Sequence, residues 1–390
     1  MRWNRRAEAN HALAFAAATA NRLDLPLLVC ETEDPGSDLQ RRFVRDGAAE
    51  NAAALRKAGI GYEFASRPDF TSAAVVVTDE WPESLEPLPP FDCEAYAVDS
   101  SCVVPASLIP ARAYAALSIR PKIHAALPRF LKPAPAVRVK RRYDVAAADV
   151  PDRTGAGGRK QALRTLDRFL AERLHRYSAW KNEPSAHATS ELSAYLHFGH
   201  ISSLEVALAV RAYAAEHRLI ADEFLEELIV RRELAFNFAR HARQPDSLEE
   251  LPDWARHTLD RHRADARDPL CTPAQFEAAR TYDSLWNATQ VELLRRGRIH
   301  GYYRMYWGKK ILEWSATPEE AAATMFRLHD RYALDARDPN TYANILWCFG
   351  LHDRPWPERP IYGTVRSMSR AGMERKTDVA AYLKEVEALQ

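Results

Sequence analysis

Between Thr281 and Arg366 the chain sets tryptophans among arginine, aspartate and amide side chains. Trp286, Trp307, Trp314, Trp347 and Trp356 are five of its nine tryptophans. Around them stand Arg304, Met305, His329, Asp335, Asp338, Arg354 and Arg366. Trp307 and Trp314 are seven residues apart, two helical turns, and so share a face. Packing alone would favour Leu or Ile at those positions. Indoles beside charged groups can hold a planar cofactor, stack on bases or pass electrons; aromatic filling of a core helix uses the same spacing, so both readings stand. Thr189–Ser193 ahead of Ala194–Gly199 resembles a capped helix start. Ser190 is its natural N-cap, with neighbouring amide N–H groups that favour an anion. His197 and His200 have no third ligand nearby, so they are read as structural and no metal is assigned. Glu227 and Arg231 are i,i+4 partners, either a surface ion pair or a carboxylate and guanidinium facing a cavity.

The elements that must position these residues fall into two patterns. Up to about residue 125, apolar runs at Leu25–Cys30, Gly61–Ala65, Ala73–Thr78 and Ala95–Val98 alternate with helical patterns at Arg5–Leu23 and Asp38–Ala58. That alternation predicts an α/β domain with a parallel sheet, without a G-x-G-x-x-G fingerprint and with no strand ahead of the first helix. Pro- and Gly-rich chain at 132–160, with a basic run at Arg138–Arg142, predicts a linker. From Gln161 onward apolar residues recur at helical spacing almost throughout, including Phe224–Ala242. The expected division is 1–131 α/β, 132–160 linker and 161–390 all-helical.

With 390 residues, 47% hydrophobic residues and a formal net charge of +1, the composition is that of a water-soluble globular protein. A basic nucleic-acid face would have to come from local clustering. Five scattered cysteines without a C-x-x-C pair favour reduced thiols, hence the cytoplasm, and argue against structural zinc. No window approaches the ~20 apolar residues of a membrane span.

Ser190–Gly199, Glu226–Phe238, Trp286–Gln290, His300–Trp314, Asp335–Tyr342 and His352–Met368, in that order, resemble the class II cyclobutane pyrimidine dimer photolyases of the photolyase/cryptochrome family. The resemblance implies an N-terminal Rossmann-like domain, its first strand missing here, followed by an all-α domain that binds FAD. It implies light-driven repair of cyclobutane pyrimidine dimers in ultraviolet-damaged DNA, by electron transfer from reduced FAD to a flipped-out dimer. It places Tyr177, Lys181, Ser190, Leu192 and Ser193 at the flavin phosphates, and Arg304, Asp335 and Asp338 around the isoalloxazine ring. Trp286 and Trp307 match the electron relay, and Trp314 is expected against the flavin. Glu227, Met305 and Trp347 match dimer contacts; Arg354 and Arg366 match basic residues at the lesion. His329 stands where the family usually carries Asn facing flavin N5, and Lys181 where Arg usually reaches the phosphates. No antenna chromophore is assigned, and a monomer is expected. The alternative is a photolyase-like flavoprotein without repair, either a light sensor or a light-independent FAD enzyme acting on a small molecule.

Overall fold

The structure, a computed structural model, describes residues 1–33, 36–143 and 155–389, so 144–154 of the expected linker lies outside the described residues. By internal contacts the chain groups into two units. The first comprises Met1–Pro110, Arg120–His175 and Ser190–Glu233; the second comprises Ala111–Ile119, Arg176–Thr189 and Leu234–Gln390.

In the first unit, helices α1 (His11–Leu23) and α2 (Asp38–Lys57) alternate with strands β1 (Leu28–Thr32), β2 (Gly61–Ala65), β3 (Val75–Asp79) and β4 (Glu94–Val98). β1 pairs in parallel with β2, and β3 in parallel with β4. These are two separate two-stranded sheets. The helix expected from Arg5 starts only at His11, capped by the Asn10 side chain. The reason is tertiary: the buried Arg6 guanidinium donates to Asn4 Oδ1, Ala9 O, Ser100 O and Gly199 O, which holds residues 4–9 out of a helix. α2 starts on a Ser37–Gln40 capping box. Leu13, Val29, Leu55 and Ile60 form a small core between the elements.

The helices Arg159–Glu172 (α3) and Ser203–His217 (α4) also group with this unit. The amphipathic run expected at Phe224–Ala242 is not one α-helix. Residues Glu226–Arg231 are π-helical, followed by α-helix from Arg232. Arg231 therefore reaches Glu226, five residues back, at 3.7 Å, because a π-turn brings i and i+5 together. Arg120 also clamps Glu226, with its closest N–O distance 2.7 Å.

The second unit is helical. Its main elements are α5 (Ser284–Arg296), α6 (Gly301–Trp314), α7 (Pro318–Tyr332), α8 (Pro339–Trp347) and α9 (Val379–Glu387). Asp283 caps α5, accepting from Leu285 N and Trp286 N at 2.8 and 3.1 Å. Thr317 with Pro318, and Asp338 with Pro339, start α7 and α8 by the same device of an N-cap followed by Pro. A Cβ built on Gly308 would lie 2.6 Å from Cys348 Sγ. Only glycine therefore lets α6 come this near the end of α8. The core is continuous from Ala235 to Val386 and is centred on Trp286, Tyr303, Tyr306, Trp307 and Trp314.

Candidate active site

The tryptophans form a connected set. Trp286, on α5, and Trp307 and Trp314, on α6, are 0–1% exposed. Trp286 and Trp307 lie nearly parallel, with ring centroids 6.5 Å apart and planes 7° apart. Trp286 and Trp314 meet edge to face at 6.3 Å. Trp286 Nε1 donates to Trp307 O at 2.9 Å, and Trp307 Nε1 to Gln290 Oε1 at 2.8 Å, so both indole planes are fixed by hydrogen bonds as well as packing. Trp314 continues to Tyr282, centroids 4.8 Å apart, and Tyr282 is 63% exposed. A row of aromatic rings thus runs from the surface into the core of the unit.

One helical turn before Trp307, Arg304 meets Asp335. Both terminal guanidinium nitrogens lie 3.2–3.3 Å from the carboxylate oxygens. His329 Nε2 lies 3.8 Å from Asp335 Oδ1, with His329 buried at the end of α7. Asp335 is held from behind by its own carbonyl, which accepts from Thr341 Oγ1 at 2.8 Å. Asp338, buried, uses its carboxylate to cap α8, accepting from Asn340 N at 2.9 Å and Asn340 Nδ2 at 2.8 Å. The sequence reading passed over His300, the N-cap of α6, whose Nδ1 accepts from Tyr302 N at 3.3 Å. Burial, helped by the nearby positive charge of Arg304, pushes its pKa down to about 4. Among the described residues, His300 Nε2 and Arg304 Nε are buried without a hydrogen-bond partner. Two unsatisfied donors or acceptors one turn apart are costly unless a ligand or an ordered water meets them. They fit a polar, anionic heterocycle such as the isoalloxazine edge of FAD.

A second cluster stands where α8 ends. Trp347, half-buried, has Lys309 Nζ 4.7 Å and the Arg366 guanidinium 5.7 Å from its ring centroid. Arg366 also lies 4.9 Å from Trp356, which Arg354 approaches to 5.1 Å. Trp356 Nε1 donates to Asp353 Oδ1 at 3.3 Å. Lys309 is fully buried, donates to Cys348 O at 2.7 Å, and has its pKa lowered to about 8 by burial. Two indole faces flanked by guanidinium groups form a surface that can stack on a base and meet phosphate.

Met305 packs half-buried against the core, next to Arg304. Tyr177 and Lys181 sit at a short helix, Tyr177–Trp180, with Lys181 Nζ 5.7 Å from the Tyr177 ring. Ser190, Leu192, Ser193 and Glu227 belong to the first unit. Ser190 does not cap a helix as expected: the short helix runs Ser193–His197 with Leu192 before it. Ser190 Oγ accepts from Leu192 N at 3.4 Å, while Glu191 takes a left-handed φ of 60° and pairs with Arg173 at 3.2 Å. This turn leads into the helix without the side-chain cap expected of Ser190. Glu227 is exposed on the π-helical segment. His200 Nδ1 accepts from Gly158 N at 3.1 Å, and burial lowers its pKa to about 3.

No family model matches the chain. The chain is 38% identical to the deoxyribodipyrimidine photo-lyase of Methanothermobacter thermautotrophicus over 97% of its own length and 92% of that protein's. It is 34% identical to the deoxyribodipyrimidine photo-lyase of Potorous tridactylus, covering 98% of this chain and 80% of that one. With the enzyme of the same name from Oryza sativa subsp. japonica it shares 48% identity over 58% of this chain and 45% of that protein. Among solved structures it resembles a class III photolyase from Agrobacterium tumefaciens, with a TM-score of 0.74 at 16% identity, covering 99% of this chain and 85% of that one. It also resembles an archaeal photolyase from Sulfolobus tokodaii solved with two FAD molecules, with a TM-score of 0.69 at 16% identity, covering 98% and 87%. The expected fold, a Rossmann-like α/β part followed by a helical part, is the one observed. With the Methanothermobacter and Potorous enzymes matched along nearly the whole of its length, the chain belongs to the photolyase/cryptochrome family.

Proposed function

We propose that this chain is a class II cyclobutane pyrimidine dimer photolyase. It repairs ultraviolet-damaged DNA with light, using FAD. The observation that supports this reading best is the Arg304–Asp335 pair, with His329 behind it and two unsatisfied buried nitrogens beside it, one turn from a buried tryptophan row. When bound and reduced, FAD supplies an electron to the dimer under light and recovers it once the cyclobutane ring has split.

The residues of this chain have distinct tasks in that reading. Arg304 and Asp335 orient the isoalloxazine edge and balance its charge, the guanidinium favouring the anionic reduced form. Asp338 fixes the start of α8 next to that edge, and His329 is a titratable neighbour of Asp335. Trp307 and Trp286 carry electrons inward. Trp314 extends this row toward the surface. It lies ten residues from Arg304 on one helix, about 15 Å along the axis, and packs on exposed Tyr282. Trp347 stacks on a splayed base, and Arg354 and Arg366 meet the backbone charge or the gap left by the flipped dimer. Met305 borders that same contact. Tyr177 and Lys181 supply a ring and a point charge for the phosphates. Ser190, Leu192, Ser193 and Glu227 keep the roles the resemblance implies.

The test is a spectrum followed by a repair assay. The purified chain, supplied with FAD, is expected to show flavin absorption bands and to remove dimers from an irradiated oligonucleotide only under blue light. Failure to take up FAD would refute the whole reading. Uptake without repair would move the protein to the sensor or light-independent alternatives. A domain division at 132–160 and a cytoplasmic monomer complete the proposal. Limited proteolysis and sedimentation test the division and the monomer.

A further inference from the structure

Part of the cluster around Trp347 is carried by a tight hairpin. Trp356 N donates to Thr364 O at 2.8 Å and Arg359 N to Gly363 O at 2.9 Å, so the chain turns back on itself between Trp356 and Thr364. Trp356 is the first rung of this hairpin; Arg354 stands two residues ahead of it and Arg366 two residues past Thr364. The Arg366 guanidinium lies 4.9 Å from the Trp356 ring. On its inner side the hairpin is anchored to α6 by buried Tyr362, whose hydroxyl donates to Lys309 O at 2.8 Å.

The other side of the hairpin is pressed on the helix Asp253–Arg261 and the turn that follows it. Thr364 N donates to Thr258 Oγ1 at 2.9 Å, and Ile361 N to Asp265 Oδ2 at 2.7 Å. Gly363 takes a left-handed φ of 52°, and a Cβ built there would run into Thr258 Oγ1 and lie 2.7 Å from His262 Cδ2. Only glycine permits this approach. His262 stands at its centre, with Nδ1 2.7 Å from Asp265 Oδ2 and Nε2 2.8 Å from Glu358 Oε1. Glu358 belongs to the hairpin and Asp265 to the turn, so the ring spans the two. Ionised carboxylates only accept, and a neutral imidazole donates from one nitrogen, so both bonds are made together only by the imidazolium. Arg261 Nη1 also donates to Glu358 Oε1, at 3.2 Å, and the charge of Arg267 acts on Asp265, which favours the ionised form of both carboxylates.

We propose that His262 is a positioning residue for lesion recognition: its imidazolium latches the hairpin onto the Asp253–Arg261 helix and so holds Trp356 and Arg366 where damaged DNA meets them. This role rests on the repair reading above and adds a proton-dependent element to it. Loss of the proton leaves one ring nitrogen with its lone pair toward a carboxylate, and that bond becomes a repulsion. Asp265 keeps Ile361 N and Glu358 keeps Arg261, so the hairpin loosens without coming away. The direction of the pH effect follows from the partners. The bonds to Asp265 and then Glu358 raise the His262 pKa above its ordinary 6.5. The Ile361 N–H, then His262, lowers that of Asp265; His262, then Arg261, lowers that of Glu358. On the alkaline side the latch is complete below the ordinary histidine value and is lost as pH rises through the higher folded one. On the acid side it holds until the carboxylates take up protons.

The experiment measures binding in the dark, by the full chain supplied with FAD, of a duplex containing a thymine dimer and of the same duplex undamaged, from about pH 6 to about pH 9 at fixed salt. The parent's preference for damaged DNA is expected to fall about tenfold across that range, the weight of a base-stacking contact. His262→Gln, which cannot carry the charge, should show the low preference throughout. His262→Arg, charged throughout, should keep the high preference at alkaline pH. Hydrogen exchange at the Ile361 and Thr364 amides, corrected for its intrinsic pH dependence, reads the latch without DNA. It should be several-fold faster in His262→Gln than in the parent at the acid end and equal at the alkaline end. Equal exchange in the two proteins at the acid end would overturn the proposal. So would the same pH profile of damage preference in both. A parent that prefers damaged DNA at no pH would count against the repair reading instead, and the exchange comparison would then decide the latch by itself.

Discussion

Replacing Trp286 by Phe separates the proposed electron relay from the core it is built into. The side chain is fully buried and makes three contacts with the other two tryptophans: a hydrogen bond to Trp307 O, near-parallel packing on Trp307, and an edge contact with Trp314. Trp286→Phe removes the hydrogen bond, worth about 1 kcal/mol. Trp307 O sits in the interior of a helix, so it is not left without a partner. The smaller ring leaves a gap costing a further ~1–2 kcal/mol. A loss of about 2–3 kcal/mol lowers the melting midpoint by at most about 10 °C in a chain of this size. The fold therefore survives, and so should FAD content, since none of the three contacts is to Arg304, His300 or Asp335. The relay does not survive, because a benzene ring is far harder to oxidise than an indole. Under steady blue light with a thiol reductant, flavin reduction is expected to slow at least about tenfold, equivalent to ~1.4 kcal/mol of barrier. The control is Phe276→Leu. Phe276 is fully buried and 5.2 Å from Trp286, so its truncation brings a comparable packing cost without removing an indole. Photoreduction at the parental rate in Trp286→Phe would show that electrons take another path. Equal slowing in Phe276→Leu would show that the effect is one of packing.

Trp347→Ala should lose preference for dimer-containing over undamaged duplex by roughly 1–3 kcal/mol while keeping most of its salt-dependent affinity for undamaged DNA; filter binding at two salt concentrations measures both. Equal loss on the two DNAs would make Trp347 plain core. Arg304→Lys replaces a fork on Asp335 by a point charge, so the purified variant should fold with a normal far-ultraviolet circular dichroism spectrum but hold several-fold less FAD. His300 gives a pH signature. Its folded pKa of about 4 lies below the ordinary value of 6.5, so the unfolded chain binds more protons between those values and stability falls as pH drops from about 6.5 to about 4. His300→Gln should flatten that slope in urea titrations, and an unchanged slope would assign it to other buried histidines, such as His200.

Much of the α/β half was legible because period and punctuation agree. The strand at Gly61–Ala65 lies where its residues predict, and α2 starts at its Ser37 cap. What failed was local pattern overridden by distant partners. Arg5–Ala9 has helical composition, but Arg6 uses its donors on Ser100 and Gly199, far along the chain. The π-helical turn at Glu226–Arg231 was invisible because its amphipathic pattern also suits an α-helix. In the helical half, periodicity put Trp307 and Trp314 on one face, yet Trp286 joins them from another helix, which no spacing rule reports. Lys309 is the clearest blind spot. A lysine reads as a solvated side chain, and here it is fully buried beneath Trp347. Gly308 gives the cue in retrospect, since a glycine inside a helix either weakens it or marks a close approach, and here Cys348 lies against it.

α6 explains why these sites are arranged together. At about 100° per residue, Trp307 and Trp314 fall on one side of the helix, while Met305 and Lys309 fall roughly opposite. Arg304 and Gly308 lie between the two sides. The indole side packs on Trp286 and leads to exposed Tyr282; the opposite side holds Lys309 against Trp347. In the proposed reading, a cofactor edge held by Arg304 and Asp335 would be flanked along one rigid element by the electron-relay row and by the base-stacking cluster. Rigidity matters because both transfers depend on distances that packing must fix. The buried Lys309 serves the same end. Its ammonium costs desolvation energy that an apolar side chain would avoid, yet its bond to Cys348 O and its contact with the Trp347 ring tie the two helices at the point where Gly308 has let them approach. The charge is therefore better understood as setting the orientation of Trp347 than as adding to stability.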